Sequence, residues 1–269
     1  MADYGKYAAG HLDVRVEDRL AFVTLNRPDR LNAVGDGMHE ALEGFLHDVN
    51  MDEDVNAIVL TGAGRGFCSG GDVRGMAAGA ATPARRPLGR LQRGPKWLVQ
   101  HFLNCEVPII AAVNGPAAGL GATIALLCDV VYMSDTASIG DTHVRVGVVA
   151  GDGGTLIWPH LVGVHRAKEM LMSGRMIGAD EAGRIGLVNH VVPADRLMEE
   201  ATAYARGLAD GPTLAIRWTK LAINKILWQS FNLVQEFSLA MEDMTFETED
   251  HKEAVQAFVE KREGRFVGR

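Results

Sequence analysis

The sequence predicts an α/β fold with a mixed core and a helical C-terminal region, and three observations lead there. Apolar strand-type runs alternate with helical segments and glycine-rich loops over the first half of the chain. From about residue 152 onward the apolar spacing is mostly helical. Composition completes the case, since 47% of the 269 residues are apolar and only 6% aromatic, with Ala, Gly and Val abundant. Such a chain has enough apolar mass for a sizeable core and packs its helices closely on sheets. The expected division is a core over 1–195 and a helical region over 196–269.

The elements follow in order. Residues 12–17 and 20–25 read as two strands joined by a tight turn. Asn26-Arg27-Pro28-Asp29 breaks the pattern. Residues 37–50 form a helix with Met38, Leu42, Phe45, Leu46 and Val49 on one face. Val55 to Thr61 is a buried strand that runs into a loop from Gly62 to Gly71. The Ala-, Arg-, Pro- and Gly-rich stretch 77–95 reads as a mobile loop, followed by a helix near 96–104. Strand 108–113, a Gly/Ala loop, a helix from about 120, strand 129–134 and a short strand 137–139 come next. Beyond 152 the spacing gives helices at 195–209, 212–228, 230–246 and 249–260, with one short strand at 187–192.

Composition also excludes partners. The net charge is −7 and no long basic run occurs, so nucleic acid and anionic membranes are poor candidates. No apolar run approaches the roughly 20 residues of a membrane span, and Met1 to Gly10 lacks a signal pattern. Cys68, Cys105 and Cys128 are widely spaced without a CxxC, so neither a disulfide framework nor a metal site is expected, and a reduced cytoplasm is the natural location.

Two glycine loops carry the chemistry. The first is Thr61-Gly62-Ala63-Gly64-Arg65-Gly66-Phe67-Cys68-Ser69-Gly70-Gly71-Asp72, the second Val113-Asn114-Gly115-Pro116-Ala117-Ala118-Gly119-Leu120-Gly121. Each follows a strand and leads toward a helix. Glycine lets backbone approach a ligand, and free N–H groups at a helix start face an anion or a polarised carbonyl. A dinucleotide fingerprint fails in both, because its third glycine would be Phe67 in one and Ile124 in the other. Taken singly, each loop could be only a tight turn.

Taken together, Asn26 to Ala33, Phe67 to Asp72, Asn114 to Gly121, Leu127-Cys128-Asp129 and Gly183 to Val188 resemble the signatures of the enoyl-CoA hydratase/isomerase (crotonase) superfamily, in order and spacing. The resemblance covers roughly residues 12 to 260. It implies a crotonase-type spiral of ββα units, whose helical C-terminal region serves trimerisation and pocket closure in a homotrimer or dimer of trimers. It implies an oxyanion hole made by the backbone N–H groups of Gly71 and Leu120. Arg30, Leu31, Ala33, Ser69, Gly70, Asp72 and Val73 match positions along the coenzyme A groove, with coenzyme A bound as part of the substrate and no tightly bound cofactor. Two preset donors stabilise the oxygen of a thioester enolate, and losing one costs about 2.7–4 kcal/mol of barrier.

The side chains depart from the family pattern. Hydratases of this family carry two glutamates, and the matching positions here are Thr123 and His143. His143 is followed by Asp152 in Gly151-Asp152-Gly153-Gly154. A carboxylate on one imidazole nitrogen would make the other a base suited to neutral pH, losing activity as pH falls through roughly 6–7. His143, Asp152 and Trp158-Pro159-His160 look like the branch that hydrolyses β-diketones, typified by 6-oxocamphor hydrolase, and His39 falls where that branch has another histidine. Plainer readings stand beside these. Asp152 could be a helix N-cap, His143 a polar residue at a strand end, His39 an exposed helix residue, Asp72 a cap, and Cys68 and Trp158 packing. The expected substrate is an acyl-CoA or another small carbonyl compound. The rival readings are a C–C bond hydrolase and an acyl-CoA-binding scaffold with little turnover.

Overall fold

The computed structural model describes residues 2–35, 37–72 and 90–269, with backbone alone for 90–93. Val73, matched to the coenzyme A groove from sequence, lies outside the described residues, as does most of the 77–95 stretch. The described end of that stretch is helical, because α2 (Arg90–Asn104) begins upstream of the expected 96 and carries Pro95 inside it.

The main sheet has six strands in the order β1 (Leu12–Glu17), β2 (Leu20–Leu25), β3 (Ala57–Gly62), β4 (Ile109–Val113), β6 (Val130–Ser134), β9 (His190–Val192). β1 and β2 pair antiparallel and the remaining neighbours pair in parallel. Parallel strands buried on both faces read as continuous apolar runs, which is why β3 and β4 were legible. A second sheet joins β5 (Ala117–Ala118), β7 (Ser138–Gly140) and β8 (Ile177–Gly178). Two-residue β8 is too short to leave a sequence signal.

The larger core lies between the main sheet and α1 (Met38–Val49), α2, α3 (Leu120–Leu127) and α4 (Gly154–Val162). On the opposite face, Leu20, Ala57, Val59, Ile110 and Ala112 meet Leu197, Ala201, Ala205 and Ala209 of α7 (Leu197–Ala209). Their four-residue spacing puts one small-residue stripe on the sheet. Two shorter helices, α5 (Val164–Ser173) and α6 (Ala179–Arg184), lead to β9.

The two helices expected at 212–228 and 230–246 are one, α8 (Thr213–Phe246), followed by α9 (Glu249–Glu260). No Gly or Pro interrupts 213–246. The apparent break came from an inverted pattern. Lys220, Asn224, Gln235, Ser238 and Glu242 point inward and are buried, while Leu214, Trp218, Ile226, Leu233 and Phe237 are exposed. Inside, Lys220 Nζ donates to the Val107 carbonyl at 2.8 Å and pairs with Asp129 Oδ2 at 2.6 Å. Lys220→Ala leaves that carboxylate without its cation and is expected to cost about 3 kcal/mol. A urea midpoint within 1 kcal/mol equivalent of the parent, at unchanged slope, would contradict this.

Candidate active site

Side-chain amides lock the two glycine loops together. Asn32 Nδ2 donates to the carbonyls of Ala63, Gly66 and Phe67 at 2.9, 2.8 and 3.2 Å. Asn114 Nδ2 donates to Gly62 and Gly64 at 2.9 and 3.0 Å, and its Oδ1 accepts from the Gly62 amide at 3.2 Å. Cys68 and Ala117 then form a parallel bridge, with the Ala118 amide donating to the Cys68 carbonyl at 2.9 Å. Gly121 is required because any Cβ there would strike the Cys68 carbonyl oxygen. At Gly70, with φ +85°, a Cβ would stand 2.5 Å from the Ala118 oxygen and 3.3 Å from the Leu120 nitrogen. The segments carrying the Gly71 and Leu120 amides therefore touch. Leu120 opens α3, so its N–H has no intrahelical acceptor, and among the described residues neither amide has a recorded backbone acceptor.

The positions matched to the coenzyme A groove come together beside this junction. The Ser69 amide donates to the Leu31 carbonyl at 3.0 Å and its hydroxyl to the Arg30 carbonyl at 3.2 Å. The Val34 amide donates to Gly70 at 2.7 Å. Arg27 Nη1 donates to the Ala33 carbonyl at 3.3 Å and pairs with Asp72 Oδ2 at 3.1 Å. Asp72 is thus a loop clamp through Arg27. Arg30 itself points to the exterior near Asp29.

His143 and Asp152 do meet, but differently from expectation. Nε2 lies 2.9 Å from Asp152 Oδ2, and Nδ1 lies 2.7 Å from Asp141 Oδ1. Both ring nitrogens face carboxylates, so neither is left as a free base. The ring begins a 3₁₀ turn, His143–Val146, rather than ending a strand. Burial alone would lower its pKa, yet the negative charges of Asp152 and Asp141 outweigh burial and hold it well above the usual histidine value. The paired carboxylates thus favour the charged form of the ring. The Asp141 partnership was missed because one residue between two polar side chains gives no periodic signal.

Asp152 is not a helix cap. Gly153 occupies that place and makes no side-chain bond. Asp152 Oδ1 accepts from the Thr123 hydroxyl at 3.3 Å, so the two positions where glutamates were absent are linked through one aspartate. The cluster abuts the start of α3, since a Cβ on Gly119 would lie 3.5 Å from His143 Cε1.

Glu242 is the further member that sequence reading missed. It projects from α8, is 4% exposed, and its Oε2 has no partner among the described residues. Burial, then the charge of Asp152, raises its carboxyl well above the ordinary range against the opposing charge of His143. Donor atoms of His143, Asp152 and Glu242 lie within 4.8 Å of one another, close enough to share a divalent cation. The Nε2 hydrogen is committed to Asp152, however, and a proton on Glu242 balances the cluster without rearrangement. Because the native state then holds a proton that the unfolded chain releases above about 4.5, this contribution to stability falls as pH rises, by up to about 1.4 kcal/mol per unit. Glu242→Gln should flatten the decline of thermal midpoint with pH, and an unchanged slope would refute the buried acid.

The other sequence candidates make no hydrogen bond or ion pair to this cluster among the described residues. His39 is partly buried rather than exposed, with Nδ1 3.1 Å from Glu43 and its ring against Gly94. His160 bonds Ser230 at 2.7 Å. Trp158 is fully buried core. Cys68 is also buried, which pushes its thiol up to about 12 and leaves it inert.

The profile of the enoyl-CoA hydratase/isomerase family matches residues 15–269. The chain belongs to this family. Two curated members show the breadth of the match. The short-chain-enoyl-CoA hydratase of Clostridium acetobutylicum is 37% identical over 247 residues, 91% of this chain and 93% of its own. The 1,2-epoxyphenylacetyl-CoA isomerase of Escherichia coli is 34% identical over 254 residues, 94% and 97% of the two chains. The crystal structure of an enoyl-CoA hydratase/isomerase from Mycobacterium paratuberculosis aligns with a TM-score of 0.85 at 37% identity, covering 92% of this chain and 98% of that one. The fold is accordingly the crotonase fold, and the protein is an enzyme of a family that acts on CoA thioesters. Among the described residues no helix is long and apolar enough to cross a membrane.

Proposed function

We propose that the protein removes a proton next to the carbonyl of an acyl-CoA thioester and returns one at the γ-carbon, shifting a double bond through a dienolate. The observation that carries this is Asp152, a single carboxylate held by His143 at 2.9 Å and Thr123 at 3.3 Å beside the start of α3. The thioester oxygen sits between the Gly71 and Leu120 amides, and the partial positive charge of the α3 N-terminus adds to them. Asp152 takes the α-proton on a lone pair left spare by its two donors. His143, an imidazolium, fixes that carboxylate and does not itself act as the base. The acid limb expected for a free imidazole at roughly pH 6–7 is therefore absent, and activity falls instead on the alkaline side, where His143 loses its charge.

Isomerisation is favoured over hydration because hydration needs a second group to activate water, and Thr123 stands in that place. A C–C bond hydrolase is less well supported, since His39 pairs with Glu43 and makes no bond to His143 or Asp152 among the described residues. Arg30, Leu31, Ala33, Ser69, Gly70 and Asp72, with Val73, form the coenzyme A groove in this reading. The exposed apolar side of α8 suits burial against further copies of the chain in a trimer or dimer of trimers, with the C-terminal helices also closing the pocket.

The test is a 3-enoyl-CoA in deuterated buffer. Conversion to the 2-enoyl thioester with deuterium at the γ-carbon, where the proton is returned, is expected. No exchange with any 3-enoyl thioester, together with cleavage of a cyclic β-diketone, would replace this reading by the hydrolase.

A further inference from the structure

The eight residues between His143 and Asp152 hang from the C-terminal helices. Gln235 Nε2 donates to the Gly151 carbonyl at 2.9 Å, and the Ser238 hydroxyl reaches the same oxygen at 3.3 Å. The Val149 amide donates to Thr245 Oγ1 at 3.2 Å. His251 Nδ1 lies 2.6 Å from the Val146 carbonyl. Gln235 and Ser238 are buried at 0% and 4% exposure, which is unusual for polar side chains at mid-helix. Their spacing with Glu242 places all three on one face of α8, against the Gly151 turn.

A buried side chain that spends its donor on a backbone carbonyl fixes that peptide in place. Gly151 is the residue joined to Asp152, and the His143–Asp152 contact is a hydrogen bond sensitive to small displacement. We infer that Gln235 and Ser238 are positioning residues, which hold the Gly151 carbonyl so that Asp152 stays within hydrogen-bond reach of His143. The role assigned to Asp152 in catalysis rests on the proposed function. The positioning itself is a property of the protein without substrate.

α8 supplies its own control. Asn224 Nδ2 donates to the Leu103 carbonyl at 3.0 Å, is buried on the same helix, and belongs to no part of the cluster. Gln235→Leu, the milder Ser238→Ala, and Asn224→Leu are compared in full-length protein labelled with ¹⁵N-histidine. The His143 ring signals are identified by their loss in His143→Asn. In the parent, both ring N–H protons should resonate downfield, each on a carboxylate. Gln235→Leu and Ser238→Ala should shift the Nε2 proton upfield or lose it to exchange, while the Nδ1 proton facing Asp141 and the Asn224→Leu spectrum stay as in the parent. On the 3-enoyl thioester, Gln235→Leu should lower kcat by about 100-fold, as expected for misplacement of a catalytic group by about 1 Å, with KM within about two-fold. Ser238→Thr, which keeps the hydroxyl, should lack the Ser238→Ala defect. If both variants lower the thermal midpoint as Asn224→Leu does but leave the Nε2 signal in place, the residues are merely structural and the inference is overturned. Absence of turnover in the parent would overturn the proposed function alone, because the spectra still decide the positioning.

Discussion

Asp152→Asn is expected to reduce turnover of a 3-enoyl-CoA by about 10²–10⁴-fold, the span typical of a lost general base. The substitution keeps size and shape, and an amide oxygen can still accept from His143 or Thr123. What it removes is the lone pair able to take a proton and the charge that keeps His143 protonated. The thermal midpoint should change modestly, since Asp141 retains the ring at 2.7 Å. Binding of a saturated acyl-CoA should be unaltered, because the groove and the two amides are untouched. A variant that keeps more than about a third of the parental rate would show that Asp152 is not the base and return the role to another member of the cluster.

The second large effect is expected from Leu120→Pro. Leu120 is the first residue of α3, a position where proline is tolerated because the missing N–H has no intrahelical partner. The substitution therefore deletes one proposed oxyanion donor while leaving the helix able to form. One such donor is worth about 10²–10³ in kcat, and the ring Cδ also intrudes where the thioester oxygen would sit. Ala at 120 serves as comparison, since it trims the buried side chain but keeps the amide. Proline should be nearly inactive and alanine nearly normal when each is corrected for its folded fraction. Equal activity of the two would remove the Leu120 amide from the mechanism.

How much of this was legible beforehand depends on where each signal resides. The glycine loops could be read because the constraint is local. Gly121 faces the Cys68 carbonyl and admits no side chain, so its identity records the approach of the two segments. The buried strands were legible for a similar reason, since a parallel strand covered on both faces must be apolar throughout. The His143–Asp152 contact was anticipated from the residue types, whereas the charge state of His143 was not. The upward shift of its pKa comes from Asp152 together with a second carboxylate, Asp141, which lies on the turn after β7. Glu242 was invisible because Glu242-Asp243 reads as an ordinary solvated helix face. Only the rotation of α8 about its axis decides that Glu242 turns inward, and that rotation is set by packing against α2 and α4. The same inversion split α8 in two on paper, since its inward side chains are polar and its apolar ones face out.

The bonds that hold the catalytic turn reach far along the chain. Gly151 waits for Gln235, 84 residues later, Val149 for Thr245, 96 residues later, and Val146 for His251, 105 residues later. During synthesis the strands and the glycine loops can assemble well before those residues leave the ribosome. Until 235–251 dock, the turn that carries Asp152 lacks these anchors, whereas the contacts that join the two glycine loops lie entirely within residues 32–121.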